Sequence, residues 1–246
     1  MKPELRVRVA RIASVFWGQV IVALTTLAGI RIYTEILGPA EFGTTMLVLG
    51  AVALFDSFGV MALNQTLLSR CGPYSDSEKR RQISVGLSWV FLKWAGPTCA
   101  LLTLGVTTVM IALGYPPDWA LLPALMVVYI VAETGKSSLI NLIVLERRYG
   151  RYSAWIGGEA VLSLLGTVTA LFVWRADAIG FLTGYVLSRF ISAAVFIAAF
   201  SPAHLRSVDL VQTRDEIHPA LIYGIPVAMM GPLGWISTYL DRYILV

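Results

Sequence analysis

The stretch RIYTEILGPAEFG, residues 31–43, lies between two long apolar runs and decides how the chain is divided. Gly38 can take the left-handed conformation that a helix C-terminus favours, and Pro39 suits the first turn of a following helix, where its missing N–H is an orphan anyway. Glu41 falls in that first turn, where the helix dipole favours an anion. Arg31 and Glu35 stand four apart on one face of the preceding helix and can pair. The stretch predicts a tight turn that closes one apolar helix and opens the next.

Around it the composition is that of a membrane protein. Of 246 residues, 57% are apolar and 14% charged, a poor balance for a soluble domain. Several apolar runs reach the roughly 20 residues that a spanning helix needs. Spans are predicted at 12–37, 44–69, 83–113, 119–145, 152–174 and 179–200, with a seventh starting near 217. Pro97 is expected to bend the third. The basic N-terminus resembles a signal peptide, but its apolar run exceeds the roughly 7–15 residues of a signal core and lacks a clear small-x-small cleavage site. It is read as a retained span. The expected fold is an all-α, polytopic integral membrane protein: a six-helix transmembrane bundle over 1–200, a polar cytoplasmic connector over 201–216, and a seventh helix over 217–246 that starts a second bundle.

Lys and Arg sort by connector. Lys2, Arg6, Arg8 and Arg11 precede the first span, and Arg70, Lys79, Arg80 and Arg81 lie between the second and third. Arg147, Arg148 and Arg151 follow the fourth, and Arg206 and Arg214 the sixth, while the alternate connectors hold Arg175 alone. The positive-inside rule then puts the N-terminus in the cytoplasm and GPAEFG outside. The same clustering argues against nucleic acid as a partner, despite a net charge of +4. Cys71 and Cys99 read as packing residues, not a disulfide framework.

The remaining charges lie inside spans: Arg31, Lys93, Lys136, Arg189 and Arg242, with Glu35, Asp56, Glu133, Glu159 and Asp241. A charge at mid-bilayer costs about 2.5–3.5 kcal/mol on insertion scales and normally faces a protein interior or a water-filled cavity. Glu133, Lys136, Ser137 and Asn141 follow one helical stripe, opposite Leu139 and Ile143. Tyr185, Arg189 and Ser192 repeat the rhythm in the sixth span, and Asp56 and Asn64 lie two turns apart on one side of the second. Gly157, Gly158, Gly180 and Gly184 would let backbones approach closely. Internal salt bridges, Arg31 with Glu35 and Glu133 with Lys136, are one reading of these charges. Lys93 and Arg189 have no acidic neighbour three or four residues away, so they are expected to serve a ligand. A cavity lined by lysine and arginine suits an anion such as a diphosphate.

LGPAEFG (37–43), the step Asp56-Ser57-Phe58-Gly59, and GIP (224–226) followed by YLDRYIL (239–245) resemble the polysaccharide-exporting branch of the multidrug/oligosaccharidyl-lipid/polysaccharide flippase superfamily. The resemblance implies a flippase that moves a lipid-diphosphate-linked oligosaccharide from the cytoplasmic to the outer leaflet of a bacterial inner membrane by alternating access. Lys93, Lys136, Arg189, Arg31 and Arg242 would then meet the diphosphate, and Asp56, Glu133, Glu159 and Asp241 would serve coupling to an unspecified ion, H or Na. Members of the family have two six-helix bundles, so the resemblance implies a second bundle on a longer chain or on a partner. Membrane lipids complete the expected partners. A cation-coupled multidrug exporter, with an acidic and aromatic cavity, is the alternative, and a non-transporting subunit of a synthesis complex a third reading. No cofactor is expected. His204 and His218 lack the neighbours of a zinc site, and no phosphate loop or nucleophile motif is present, so the chain is not expected to be an enzyme.

Overall fold

The computed structural model describes residues 3–114, 117–200 and 210–244, with side chains over 12–114, 117–199 and 215–236. Seven α-helices carry the described chain: α1 (Pro3–Phe55), α2 (Met61–Cys71), α3 (Ser77–Ala112), α4 (Leu122–Leu145), α5 (Tyr149–Val173), α6 (Ala178–Phe200) and α7 (Leu210–Ile244). A π turn, Asp56–Val60, joins α1 to α2, and a 3-10 turn, Pro117–Leu121, leads into α4. Six stretches are long and apolar enough to cross a membrane. The chain is an all-α, multi-pass membrane protein.

The first of those stretches, Ile12–Cys71, contains 60 residues. At about 1.5 Å per residue that is ~90 Å of helix, three times a ~30 Å hydrocarbon core, so it must fold back. It does so at Gly38, whose φ of 72° and ψ of 169° lie in a region essentially reserved for glycine. The contacts on either side establish the reversal. Before Gly38, Gly18 packs on Ser153, Gly157 on Ile21 and Gly29 on Leu164, so the first arm of α1 runs parallel to α5. After it, Asp56 meets Tyr129 and Asn64 meets Asn141, so the second arm and α2 run parallel to α4. Because α4 and α5 are consecutive and joined by a short turn, the two arms run in opposite directions. The turn expected over 31–43 is therefore present.

Three of the expected boundaries are shifted. The second span is not one α-helix, because the π turn interrupts it. The fourth begins at Leu122, since Trp119 belongs to the 3-10 turn and is buried there. Helix α7 begins at Leu210, upstream of the expected start near 217, so part of the expected polar connector is helical. The rest of that connector, with His204 and Arg206, lies outside the described residues. Pro97 sits inside an α3 that remains one helix throughout.

Helix α4 is the most buried of the crossing helices. Leu139 and Ile143 are buried along with Glu133, Lys136, Ser137 and Asn141. The polar stripe and the opposite face bearing Leu139 and Ile143 are thus both covered, since α4 packs against α3, α5, α6 and α2. Small residues make the close approaches. A Cβ added at Gly184 would sit 2.8 Å from the Thr167 Cα of α5, the kind of contact that lets helices associate in lipid. Gly180 packs on the Arg175 carbonyl, whereas Gly158 faces open space and makes no such contact.

Helix α7 lies antiparallel to α2 and the second arm of α1. Glu216 meets Arg70, Gly224 packs on Thr66, Gly231 on the Ser57 carbonyl, and the Trp235 Nε1 donates to the Gly50 carbonyl at 2.6 Å. Apolar packing falls into layers. One large cluster, including Leu37, Trp119, Tyr129 and Phe181, fills the end of the bundle that holds Gly38. Two separate clusters fill the other end, one around Leu67 and Leu87, the other around Leu142 and Phe196. Outward faces are apolar, as Phe16, Leu24, Leu101, Phe172 and Met230 illustrate, far more than a water-exposed surface tolerates.

Candidate functional site

Between these apolar layers lies a layer of charge. Helix α4 contributes Glu133 and Lys136, one turn apart on the same face, and Lys136 Nζ lies 2.6 Å from Glu133 Oε2. Glu159, reaching across from α5, accepts from the same ammonium at 2.8 Å. From α6, Arg189 Nη1 donates to Glu133 Oε1 at 2.8 Å and lies 3.3 Å from Glu159 Oε1. Each cation thus touches both carboxylates, and the four charges cancel. The Arg189 guanidinium also stacks 4.9 Å from the Tyr185 ring centroid, which adds a cation–π contact in a site shielded from water.

Asp56 stands at the edge of this network. Its Oδ2 accepts from the Tyr129 hydroxyl at 2.5 Å. Its Oδ1 is buried and has no hydrogen-bond partner among the described residues, and the same holds for Arg189 Nε and Thr134 Oγ1. The Tyr129 ring stacks on Tyr185, with centroids 6.4 Å apart, so the π turn, α4 and α6 meet at one point. Towards the basic end, Asn141 donates to Asn64 at 2.7 Å and to the Ser137 carbonyl at 2.8 Å. From Glu133 to Asn141 the layer is about 12 Å deep at 1.5 Å per residue.

The expected site residues divide accordingly. Lys136, Arg189, Glu133, Glu159 and Asp56 come together. Arg189, without an acidic neighbour three or four residues away on α6, takes its acidic partners from α4 and α5, where spacing along α6 cannot reveal them. Arg31 does not line the site. It pairs with Glu35 at 3.2 Å on an outward face, with side chains 83% and 67% exposed. Lys93 also faces outward and joins no ion pair among the described residues. Asp241 and Arg242, with the Tyr239–Leu245 motif, lie outside the described side chains. Tyr129 and Tyr185 were not anticipated as a pair. Tyr129 sits one turn before Glu133 on the α4 stripe, so extending that stripe by a turn would have found it.

Each end of the bundle carries its own polar contacts. At the basic end, Arg70 donates to Glu216 Oε2 through Nε at 2.8 Å and Nη2 at 2.6 Å, while Tyr74 donates to Oε1 at 2.6 Å. Accepting from Tyr74 in this way, Glu216 raises the phenol's pKa. Arg80 donates to the Tyr74 carbonyl, and Lys79 stacks over the Tyr74 ring. At the other end Arg175 is neutralised twice, by Asp118 at 2.5 Å and Asp177 at 2.6 Å. Glu41 there accepts from the Ala178 N–H at 3.2 Å, as a first-turn anion near another helix start should.

No group of three or more His, Cys, Asp or Glu side chains suited to a metal ion occurs among the described residues. Comparison with models of known protein families and with curated proteins finds no match to this chain.

Proposed function

We propose that this chain is the membrane core of a flippase that carries a lipid-diphosphate-linked oligosaccharide from the cytoplasmic to the outer leaflet of a bacterial inner membrane. The N-terminus and the Arg70–Arg81 end face the cytoplasm in this reading, and Glu41 and Asp118 face outside. One observation carries it: an ion-paired layer held across three helices at mid-depth, with an incompletely bonded carboxylate at its edge. A passive anchor gains nothing from charges at that depth, which are expensive in hydrocarbon. Moving parts that change partners during transport do need them.

The layer's internal pairing supports a division of roles. Lys136 and Arg189 have carboxylate partners, so they act as counter-ions to Glu133 and Glu159, and the diphosphate must be met elsewhere. Asp56, Glu133 and Glu159 are the groups through which a proton or sodium ion would couple to the motion. Three carboxylates against two cations also favour the second reading, a cation-coupled drug exporter. A bacterial strain lacking its own flippase and expressing this chain as its natural full-length product separates the two. Restored surface polymer without dye efflux supports the flippase, and dye efflux without polymer supports the exporter. Neither activity, with the protein present in the membrane, overturns both and leaves the non-transporting subunit.

A further inference from the structure

With Lys136 and Arg189 neutralised, the question is which group could hold an anionic head. Helix α3 provides one at Lys93. Ten residues into the span that starts near Ile83, Lys93 lies about 15 Å along the helix, the middle of a ~30 Å hydrocarbon core. Its neighbours fix the level independently. Phe91 packs on Gly59 of the π turn that holds Asp56, and Leu92 packs into the apolar cluster beyond.

Three features around Lys93 do not suit a lipid-facing surface. The lysine is exposed and in no ion pair among the described residues. Pro97, four residues on, has no N–H, so the Lys93 carbonyl lacks its usual helical donor. Trp89, one turn earlier on the same side, and Trp94, next round the helix, are 58% and 73% exposed. Tryptophans in a membrane protein favour the interfaces, where their N–H reaches polar groups, yet these two flank a mid-depth cation. Together they offer a point charge for phosphate oxygens and two indole faces on which the apolar face of a sugar ring can lie.

We propose that this face of α3 is the docking surface for the head of the cargo, Lys93 taking the diphosphate and Trp89 and Trp94 the first sugar. The assignment rests on the flippase reading for its occupant, and its chemistry selects a diphosphate over a partner helix because the patch pairs one cation with ring-stacking groups. In binding titrations with detergent-purified full-length protein, geranylgeranyl diphosphate should bind, and Lys93→Met should weaken it at least tenfold, while Lys93→Arg should keep it within threefold. Because Lys93 is exposed, both variants should elute as wild type does on size exclusion. Trp89→Leu with Trp94→Leu should slow export of the saccharide-bearing lipid at least fivefold, and export at the wild-type rate would overturn the assignment of the sugar to these rings. Unchanged affinity in Lys93→Met, or no binding by the wild type, overturns the proposal, as does equal competition by phosphatidylglycerol, which would make the site a reader of bilayer phosphate. Lysine-dependent probe binding in a protein that restores no export would instead sink the flippase reading and leave the site standing.

Discussion

Replacing Arg189 by methionine keeps much of the side-chain volume but removes the charge that touches both Glu133 and Glu159. Lys136 remains 2.6 and 2.8 Å from those carboxylates, so one positive charge must then serve two negative ones. Breaking a buried ion pair by deleting one partner costs about 3–5 kcal/mol. The Arg189 side chain keeps 25% of its surface exposed, which argues for the lower part of that range. At about 2–4 °C per kcal/mol for chains of this size, the loss amounts to a fall of ~6–12 °C in the thermal midpoint. Adding Glu133→Gln restores a neutral network, with Lys136 facing Glu159 alone, and should recover at least half of that fall. The assay is size-exclusion recovery of detergent-solubilised protein after heating. A single variant as stable as wild type, or a double variant no better than the single, would refute the charge-balance argument. So would export lost in the single variant at unchanged midpoint and protein level, since Arg189 would then act on cargo.

Other expectations are simpler to state. Gly38→Ala should destabilise by about 1–3 kcal/mol although nothing lies within 4 Å of the added Cβ, because the penalty is conformational; an unchanged thermal midpoint would contradict it. Thr66→Cys with Gly224→Cys should form a disulfide on mild oxidation, since a Cβ at Gly224 lies 3.9 Å from the Thr66 Cβ, within the usual spacing. Adding Gly231→Leu, which drives a side chain into the Ser57 carbonyl, should suppress that cross-link; equal yield would show that α7 does not depend on the contact. An impermeant thiol reagent should label Glu41→Cys and Asp118→Cys in intact cells and spare Ser77→Cys, against a silent background from the buried Cys71 and Cys99. The opposite pattern would invert the proposed topology.

Much of the bundle was legible because apolar runs of spanning length and a glycine-proline turn are local signals. The stripe on α4 was legible for the same reason, and its residues do converge on the charge layer. What the stripe could not convey was that its far side is enclosed too, since Leu139 and Ile143 suit lipid and protein equally well. Arg189 shows the limit more sharply. Its partners stand 56 and 30 residues away in the chain, and only the packing of α6 against α4 and α5 brings them near. Lys93 shared the same local description, a cation without acidic neighbours, and ended on the opposite side of the distinction. Spacing along one helix reports local pairing and is silent on pairing between helices.

The π turn at Asp56–Val60 sets the angular phase of everything after it. Asp56 and Asn64 are eight residues apart, and both reach α4. In an unbroken α-helix, eight steps of about 100° would leave them ~80° out of line. A π turn absorbs roughly one extra residue without lengthening the path, and seven effective steps bring them within about 20°. The same correction turns the α2 face bearing Leu63 and Leu67 towards α3 and α7. Losing one codon between Asp56 and Asn64 within the π turn would therefore let it close as an ordinary α turn and leave Asn64 facing Asn141. Losing one from the regular helix between the π turn and Asn64 would instead swing Asn64 and the rest of α2 by about a quarter turn, away from Asn141, while leaving the helix itself intact.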